Sequence, residues 1–396
     1  MYERITPNEQ QKIAIESGVK WFFSKSKQVF VISGYAGTGK TTLVRWIMDA
    51  CNISIKDGLY VTFVGKAALV LSQKGLPAKT IHSAIYDVTD EPKLDENGDR
   101  IYINGNLQTV RKFYKKEHLP ENIKIIIVDE GSMVSDKLFK DLMSFKIPII
   151  VLGDPCQLPP VNGISSCLMN PDVTLTEIMR QAEDNPIIYL SKLAREHRWN
   201  EIRFGSYGKK VFVIPKDEIM KKDEILKKSN AIICGFNRTR QELNYYIREK
   251  LFLRTSAEVV LNDKLICREN NWNVSLGRNI FLINGLIGFV KHIDYESSSH
   301  DKLIIDFQPE FIKNSCFENI DLDLYYLKLN HVERNSYRSK LNKFEYGYAI
   351  TCHLAQGSEF NSVLLFNERF SRSNDDYSKW LYTAITRAVN MLIIAM

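Results

Sequence analysis

At 396 residues the chain is too long for one ordinary core and implies at least two domains. Hydrophobic residues make up 44% and charged residues 25%, which excludes a largely disordered chain, and a net charge of +6 permits a polyanionic partner without demanding one. Seven cysteines with no CxxC pair argue against a zinc site or a disulfide framework and for a reducing, cytoplasmic setting; the charged start MYERITPNEQ reads as no signal peptide, and no apolar run is long enough to span a bilayer.

In chain order, FVIS before a glycine-rich turn, then YVTFV (Tyr60–Val64), IKIIIV (Ile123–Val128) and IPIIVL (Ile147–Leu152), are short apolar runs between amphipathic stretches. They predict strands buried on both faces, the signature of a parallel sheet covered by helices. Glu91 to His118 is polar and basic and carries two Asn-Gly pairs, Asn97-Gly98 and Asn104-Gly105, which predict a β-ribbon inserted in this first α/β domain. A second α/β domain begins after Arg180, with AIICGFN as a strand leading into the helix RTRQELNYYIREKL. From about Asn262 to Phe344, short strands without helical period predict a small β-barrel-like insertion. Tyr346 to Phe366 returns to strand–helix–strand, and the chain ends on a helix and the strand NMLIIAM.

Gly34-Tyr-Ala-Gly-Thr-Gly-Lys40-Thr41 fits G-x-x-x-x-G-K-[ST] in full, with strand, loop and helix in the order a phosphate cradle needs. Lys40 is expected to reach the β- and γ-phosphates of ATP and the Thr41 hydroxyl to ligate Mg2+. IIIVDEGSMV puts Asp129 and Glu130 at the carboxyl end of a strand, where open α/β sheets bind ligands; Asp129 suits a second contact to the metal and Glu130 the base that orients water. The bland alternative, an acidic pair capping the next helix, loses ground only because the glycine loop lies upstream. In VLGDPCQLPPV the uncharged Gln157 can hydrogen-bond a γ-phosphate or the attacking water. Arg180 in LTEIMRQ and Arg387 in YTAITRA have the chemistry of arginine fingers, although most arginines are solvated or paired on the surface.

These blocks and their order resemble superfamily 1 helicases of the RecD-like, 5′→3′ branch, over nearly the whole chain. GYAGTGKTT resembles motif I, GKAALVLSQK and KTIHSAI the Ia blocks, IIIVDEGSM motif II, VLGDPCQLPPV motif III, CGFNRTRQELN motif IV, YAITCHLAQGSEF motif V and LYTAITRA motif VI. ITPNEQQKIAI resembles the Q-motif, whose glutamine reads adenine; spacing favours Gln11, with Gln10 as the alternative. The resemblance implies an α/β fold of two RecA-like P-loop domains with ATP in the cleft between them. Domain 1A would take residues 1–86 and 122–180, and an inserted pin hairpin, 1B, residues 87–121. Domain 2A would take residues 181–261 and 345–396, and an inserted SH3-like domain, 2B, residues 262–344.

For the nucleotide site the resemblance implies Gln11, Gly34, Ala36, Gly37, Thr38, Gly39, Lys40, Thr41, Thr42, Gln157, Arg180, Gly357, Glu359 and Arg387. For nucleic acid it implies Lys66, Thr80, His82, Asn237, Arg238, Thr351 and His353, groups that touch a backbone without reading bases. His82 and His353 are otherwise unremarked core histidines. Tyr102, and after it Phe113, are the aromatic candidates for a wedge on the pin. The family pattern His-Lys-x-Gln-Gly is departed from at Leu354, which takes the place of the lysine and removes one polar contact. The basic run at Lys221, Lys222, Lys227 and Lys228 is interleaved with acids and reads as a solvated helix face.

The function implied is an ATP-dependent DNA helicase, a monomer that translocates 5′→3′ on single-stranded DNA and unwinds forked duplex. Single-strand-binding or replication and recombination proteins are its conceivable partners, in a bacterial or phage-infected cytoplasm. The alternative is a non-unwinding ATP-dependent clamp, or a RecD-type subunit of a nuclease complex.

Overall fold

The computed structural model describes every residue except 1–5, 74, 93, 96–97, 104–105, 108, 160–166, 178–184, 255–258, 277–279, 331, 370 and 372. The chain divides into two compact units, one of Met1–Val64, Ala68–Pro155 and Pro159–Glu177, the other of Gly65–Ala67, Cys156–Leu158 and Ile178–Met396.

The first unit is built on a six-stranded sheet in the order Val173–Leu175, Val29–Gly34, Ile149–Gly153, Ile125–Asp129, Gly58–Thr62, Ala78–Thr80. Every pairing in it is parallel. Continuous apolar runs make such strands because both faces are covered. Along Ile125–Asp129 the residues Ile125 and Ile127 pack on one side, with Leu43, Ile47 and Trp21. Ile126 and Val128 pack on the other, with Ile81, Leu138 and Leu142. Fully burying one such side chain contributes roughly 1.5–3 kcal/mol. Around the stretch expected as a ribbon, Tyr86–Pro92 runs antiparallel to Thr109–Lys115, with Tyr86 opposite Lys115 and Val88 opposite Phe113, so the pairing starts ahead of the expected Glu91. Beyond it, Tyr102–Ile103 pairs with Asn106–Leu107. The Asn104-Gly105 turn lies outside the described residues, and so does Asn97. Gly98 is described, at φ +89°, which only glycine takes at no cost.

The second unit carries its own six-stranded sheet, in the order Gly205–Tyr207, Val211–Ile214, Ala388–Ala395, Phe360–Phe366, Ala231–Cys234, Ala349–Thr351. It is parallel apart from its first, antiparallel pair. The helix after Cys234 is regular only over Asn237–Tyr245; it then widens into a π-helical turn, Tyr246–Leu251. The stretch expected as short strands forms a five-stranded antiparallel sheet in the order Phe317–Asp323, Lys302–Pro309, Ile287–Ser299, Lys264–Cys267, Phe344–Tyr346.

Two buried carboxylates tie that sheet to the helix and its π-turn. Asp263 accepts from Arg248 at 3.1 Å, Arg254 at 2.7 Å and the Tyr348 hydroxyl at 2.8 Å. Glu345 pairs with Arg240, and at 3.0 Å with both Arg268 and Arg334. Charges this deep are tolerated only when paired and hydrogen-bonded.

The outer edge strands of the two parallel sheets end alike. Ala78–Thr80 runs into the short helix Ile81–Ile85, and the Thr80 hydroxyl accepts from the Ser83 N–H at 3.2 Å. Ala349–Thr351 runs into Cys352–Ala355, and the Thr351 hydroxyl accepts from the Leu354 N–H at 3.4 Å. Thr-Ile-His-Ser-Ala and Thr-Cys-His-Leu-Ala thus occupy matching places in two separate sheets.

Candidate functional site

The glycine loop follows Val29–Gly34 at the carboxyl edge of the first sheet and leads into the helix Lys40–Ala50. Gly37 and Gly39 both stand at φ +80°, in the left-handed region, and a Cβ on Gly34 would lie 2.8 Å from Thr38 Oγ1. The loop closes on itself: Thr38 is buried and its hydroxyl donates to the Tyr35 carbonyl at 2.8 Å. Lys40 Nζ donates to the carbonyls of Gly34 at 2.7 Å and Tyr35 at 3.0 Å, and so lies over the loop. Ala36, Thr41 and Thr42 are partly exposed around it.

Of the two candidate glutamines, Gln11 is the one beside this loop. It is 1% exposed, and Nε2 donates to the Thr38 carbonyl at 3.1 Å while Oε1 accepts from Asn8 N–H. Gln10 is turned to Thr176 and Glu177 instead.

Asp129 ends the strand Ile125–Asp129 at the same edge as the loop, because all these strands are parallel. Its carboxylate accepts from the Glu130 N–H at 2.9 Å. Glu130 has φ +52°, a backbone state that costs a non-glycine residue of order 1 kcal/mol. No group of three or more His, Cys, Asp or Glu among the described residues forms a metal cluster. Magnesium bound through phosphates, water, a hydroxyl and one carboxylate needs none, so Thr41 and Asp129 suit that ion.

Within the second unit, Gln157 is 7% exposed and its Oε1 has no hydrogen-bond partner. The adjacent Leu158 N–H donates to Thr383 Oγ1 at 3.0 Å, and its carbonyl accepts from Gln356 Nε2 at 3.0 Å. Gln356 and Thr383 were not singled out in the sequence; the Gln-Gly of motif V and the threonine four residues before Arg387 are the signals that mark them. Arg387 is 4% exposed and donates to the carbonyls of Thr383 (3.1 Å) and Ser358 (3.2 Å) and to the Thr386 hydroxyl (3.3 Å). These are neutral acceptors, and no carboxylate pairs with Arg387 among the described residues. A buried guanidinium held this way keeps its charge available for an anion. Gly357 has φ +69° and Glu359 is exposed. Arg180 lies outside the described residues.

The nucleic-acid candidates fall into distinct surroundings. Asn237 and Arg238 are exposed at the start of their helix, with Arg238 paired to Glu242 at 2.8 Å. Thr80 and Thr351 are mostly buried and serve as the helix caps already described. Lys66 is 9% exposed, its ammonium 4.5 Å from the centre of the Phe360 ring, and burial pushes its pKa down to about 8. His82 stands among Phe63, Tyr86 and Phe113, at ring-centre distances of 6.1, 5.8 and 6.0 Å. Burial lowers the pKa of both His82 and His353, which favours neutral imidazoles. Tyr86 anchors the ribbon base by donating to Asp141. Phe113 belongs to that base, whereas Tyr102 lies further out, opposite Leu107 and 57% exposed.

Comparison with known proteins agrees with this architecture. An AAA domain model matches residues 6–210 and a UvrD-like helicase C-terminal domain model matches residues 346–395. The ATP-dependent DNA helicase Dda of Enterobacteria phage T4 is 28% identical over 66% of this chain and 61% of its own length. The ATP-dependent RecD2 DNA helicase of Deinococcus radiodurans is 24% identical over 91% of this chain and 46% of its own length. The chain therefore spans less than two thirds of either relative. A Pif1 helicase structure concerned with unwinding at forked double-stranded DNA superposes with a TM-score of 0.57 at 16% identity, over 99% of this chain and 92% of that one, and shows the shared fold. With more than half of its length matched by one family model, the chain belongs to the AAA-domain family, and the relatives it resembles are DNA helicases.

Proposed function

We propose that this chain is an ATP-dependent DNA helicase that moves 5′→3′ along single-stranded DNA and separates forked duplex. The observation that carries the reading is the glycine loop and the Asp129-Glu130 pair brought to one edge of one parallel sheet, the arrangement that hydrolysis of a nucleoside triphosphate requires.

Loop N–H groups cradle the phosphates, and Lys40 leaves the Gly34 and Tyr35 carbonyls to neutralise the β- and γ-oxygens. Thr41 and Asp129 would hold Mg2+, which when bound would supply positive charge beside the phosphates. Glu130 orients and deprotonates the attacking water, and Gln157 hydrogen-bonds the γ-phosphate or that water without repelling it. Arg387, and Arg180 with it, stabilise the transition state. Gln11, already fixed on the Thr38 carbonyl, is the glutamine suited to read adenine at the loop. The 5′→3′ direction is supported by the relatives' RecD-like kinship and not by any single residue.

The assignment of 1A, 1B, 2A and 2B to the residue ranges above belongs to the same proposal, supported by a mainly parallel sheet in each unit, the ribbon in the first and the antiparallel sheet in the second. We place the protein in the cytoplasm as a monomer. All seven cysteines are free, and no described helix is long and apolar enough to cross a membrane.

The test is strand separation with ATP on duplexes carrying a 5′ or a 3′ single-stranded tail. Opening of the 5′-tailed substrate supports the proposal. Failure on both, with DNA-stimulated ATP hydrolysis retained, identifies a clamp or a RecD-type subunit instead.

A further inference from the structure

The strands of the first unit's sheet begin at the edge opposite the glycine loop. Here lies a cavity of about 410 Å3, walled by Gln28 and Pro148, which immediately precede Val29–Gly34 and Ile149–Gly153, and by Trp21, Phe22, Lys25, Lys27 and Lys146. Its aromatic wall is preassembled. Trp21 stacks on Phe30 at 5.3 Å and donates to the Lys27 carbonyl, and Phe22 meets the ring of Phe23 edge-on at 5.5 Å. Phe23 itself is 62% exposed.

The charge around this wall is one-sided. Lys27 is paired with Asp172. Lys25 and Lys146 are exposed and pair with no carboxylate among the described residues. Both hold left-handed backbone, φ +50° and +56°, at the ends of the helices Glu9–Ser24 and Asp136–Met143, where glycine is the low-cost residue. A cation at a helix end is favourable by a few tenths to 1 kcal/mol, which accounts for one lysine at each end but not for two converging on an aromatic cavity.

The strip also continues. Lys115, the last residue of the ribbon strand Thr109–Lys115, donates to Ser144 Oγ at 2.8 Å, two residues before Lys146, and it too lacks a carboxylate partner among the described residues. By contrast, Lys112 and Lys116 of the same strand and its end are neutralised by Glu91 and Asp87. Uncompensated lysines thus lead from the base of the ribbon to the aromatic wall, on the face away from the nucleotide loop.

We propose that this strip, Lys115–Lys146–Lys25 with Phe22 and Phe23, binds the single strand displaced at the ribbon. The lysines take its phosphates, and one base stacks on the exposed phenylalanine. The proposal rests on the helicase reading above. A nucleic acid is favoured over an acidic protein segment because the strip starts at the base of the ribbon that carries the wedge candidate Tyr102, through the Lys115 bond to Ser144.

The test uses the whole protein and a forked duplex, compared with the same duplex lacking either tail. Wild type binds the two-tailed fork more tightly than the substrate lacking the displaced-strand tail. In the Lys25→Glu/Lys146→Glu double variant this preference disappears. The slope of log affinity against log salt on the fork falls by about 1.4, two single-strand phosphate contacts at roughly 0.7 each. Lys25→Arg/Lys146→Arg retains both. A photo-cross-linking benzoylphenylalanine placed at Phe23 attaches to the displaced arm. An unchanged fork preference and slope in the Glu variant, or cross-linking to neither arm, overturns the proposal and leaves the strip to an acidic protein partner. Strand separation by wild type is scored separately, so loss of the helicase reading and loss of this one are told apart.

Discussion

Replacing Glu345 by glutamine keeps the shape of the side chain and removes its charge. Three guanidinium groups, those of Arg240, Arg268 and Arg334, are left facing an amide. The site is dry: Glu345 is 4% exposed and Arg240 2%. Breaking a buried pair of this kind costs about 3–5 kcal/mol, against roughly 5–15 kcal/mol of total stability for a folded domain. For a unit of this size each kcal/mol moves the melting temperature by about 2–4 °C, so the second unit should melt about 10 °C lower. Calorimetry of the whole protein checks this, with the first unit's transition, identified by its rise on adding ATP, as the internal reference. The pH dependence supplies a second readout. Burial alone raises the pKa of Glu345, but Arg268, Arg240 and Arg334 together hold it below the ordinary glutamate value of 4.5. A depressed carboxylate contributes stability above its unfolded pKa and loses it as pH falls through the folded one, so the gap between wild type and variant should persist from pH 5 to 8 and narrow below about pH 4. A shift of less than about 2 °C at pH 7 would refute the view that this carboxylate anchors the antiparallel sheet.

Lys40→Ala should abolish ATP hydrolysis and weaken nucleotide binding; a folded variant with the wild-type rate would show that the loop is not the hydrolytic site. Arg387→Ala should leave ATP affinity within a few fold by equilibrium titration, while DNA-stimulated turnover falls on the order of a thousandfold, and unchanged turnover reduces Arg387 to a packing role. Tyr102→Ala alters a side chain that is 57% exposed, so stability should move by less than about 0.5 kcal/mol. Single-strand-stimulated ATPase should survive and strand separation should slow severely; if both rates fall together, or neither does, Tyr102 is not the wedge.

The sequence was most informative where one residue type has one use. The glycine loop, the acidic pair at a strand end and the continuous apolar runs each dictate their own backbone, and the two parallel sheets follow from them. Side-chain partners were less legible. Nothing in the spacing separates Gln10 from Gln11 beyond a preference; it takes the buried bond to the Thr38 carbonyl. Phe113 and Tyr102 look alike in a hairpin until the register sets Phe113 opposite Val88, at the base, against His82 and Tyr86. Lys66 is expected to touch nucleic acid, yet it is buried over Phe360, because a basic residue within an apolar helix can be desolvated by contacts distant in sequence. The charge cluster at Glu345 joins residues 105 positions apart and has no local signature at all.

The matching ends of the two edge strands, Thr-Ile-His-Ser-Ala and Thr-Cys-His-Leu-Ala, carry a consequence for how such a motor would move. The two handles share a capping threonine and a histidine two residues on and differ at Ser83 and Leu354, so what they have in common gives neither the lead. If both grasp the backbone, nothing in their composition tells the protein which way is forward. A ratchet with like pawls takes its direction from timing, from which pawl lifts when nucleotide binds and which when it leaves. Exchanging the two pentapeptides should then leave the heading unchanged, and reversing it would require rewiring the clock.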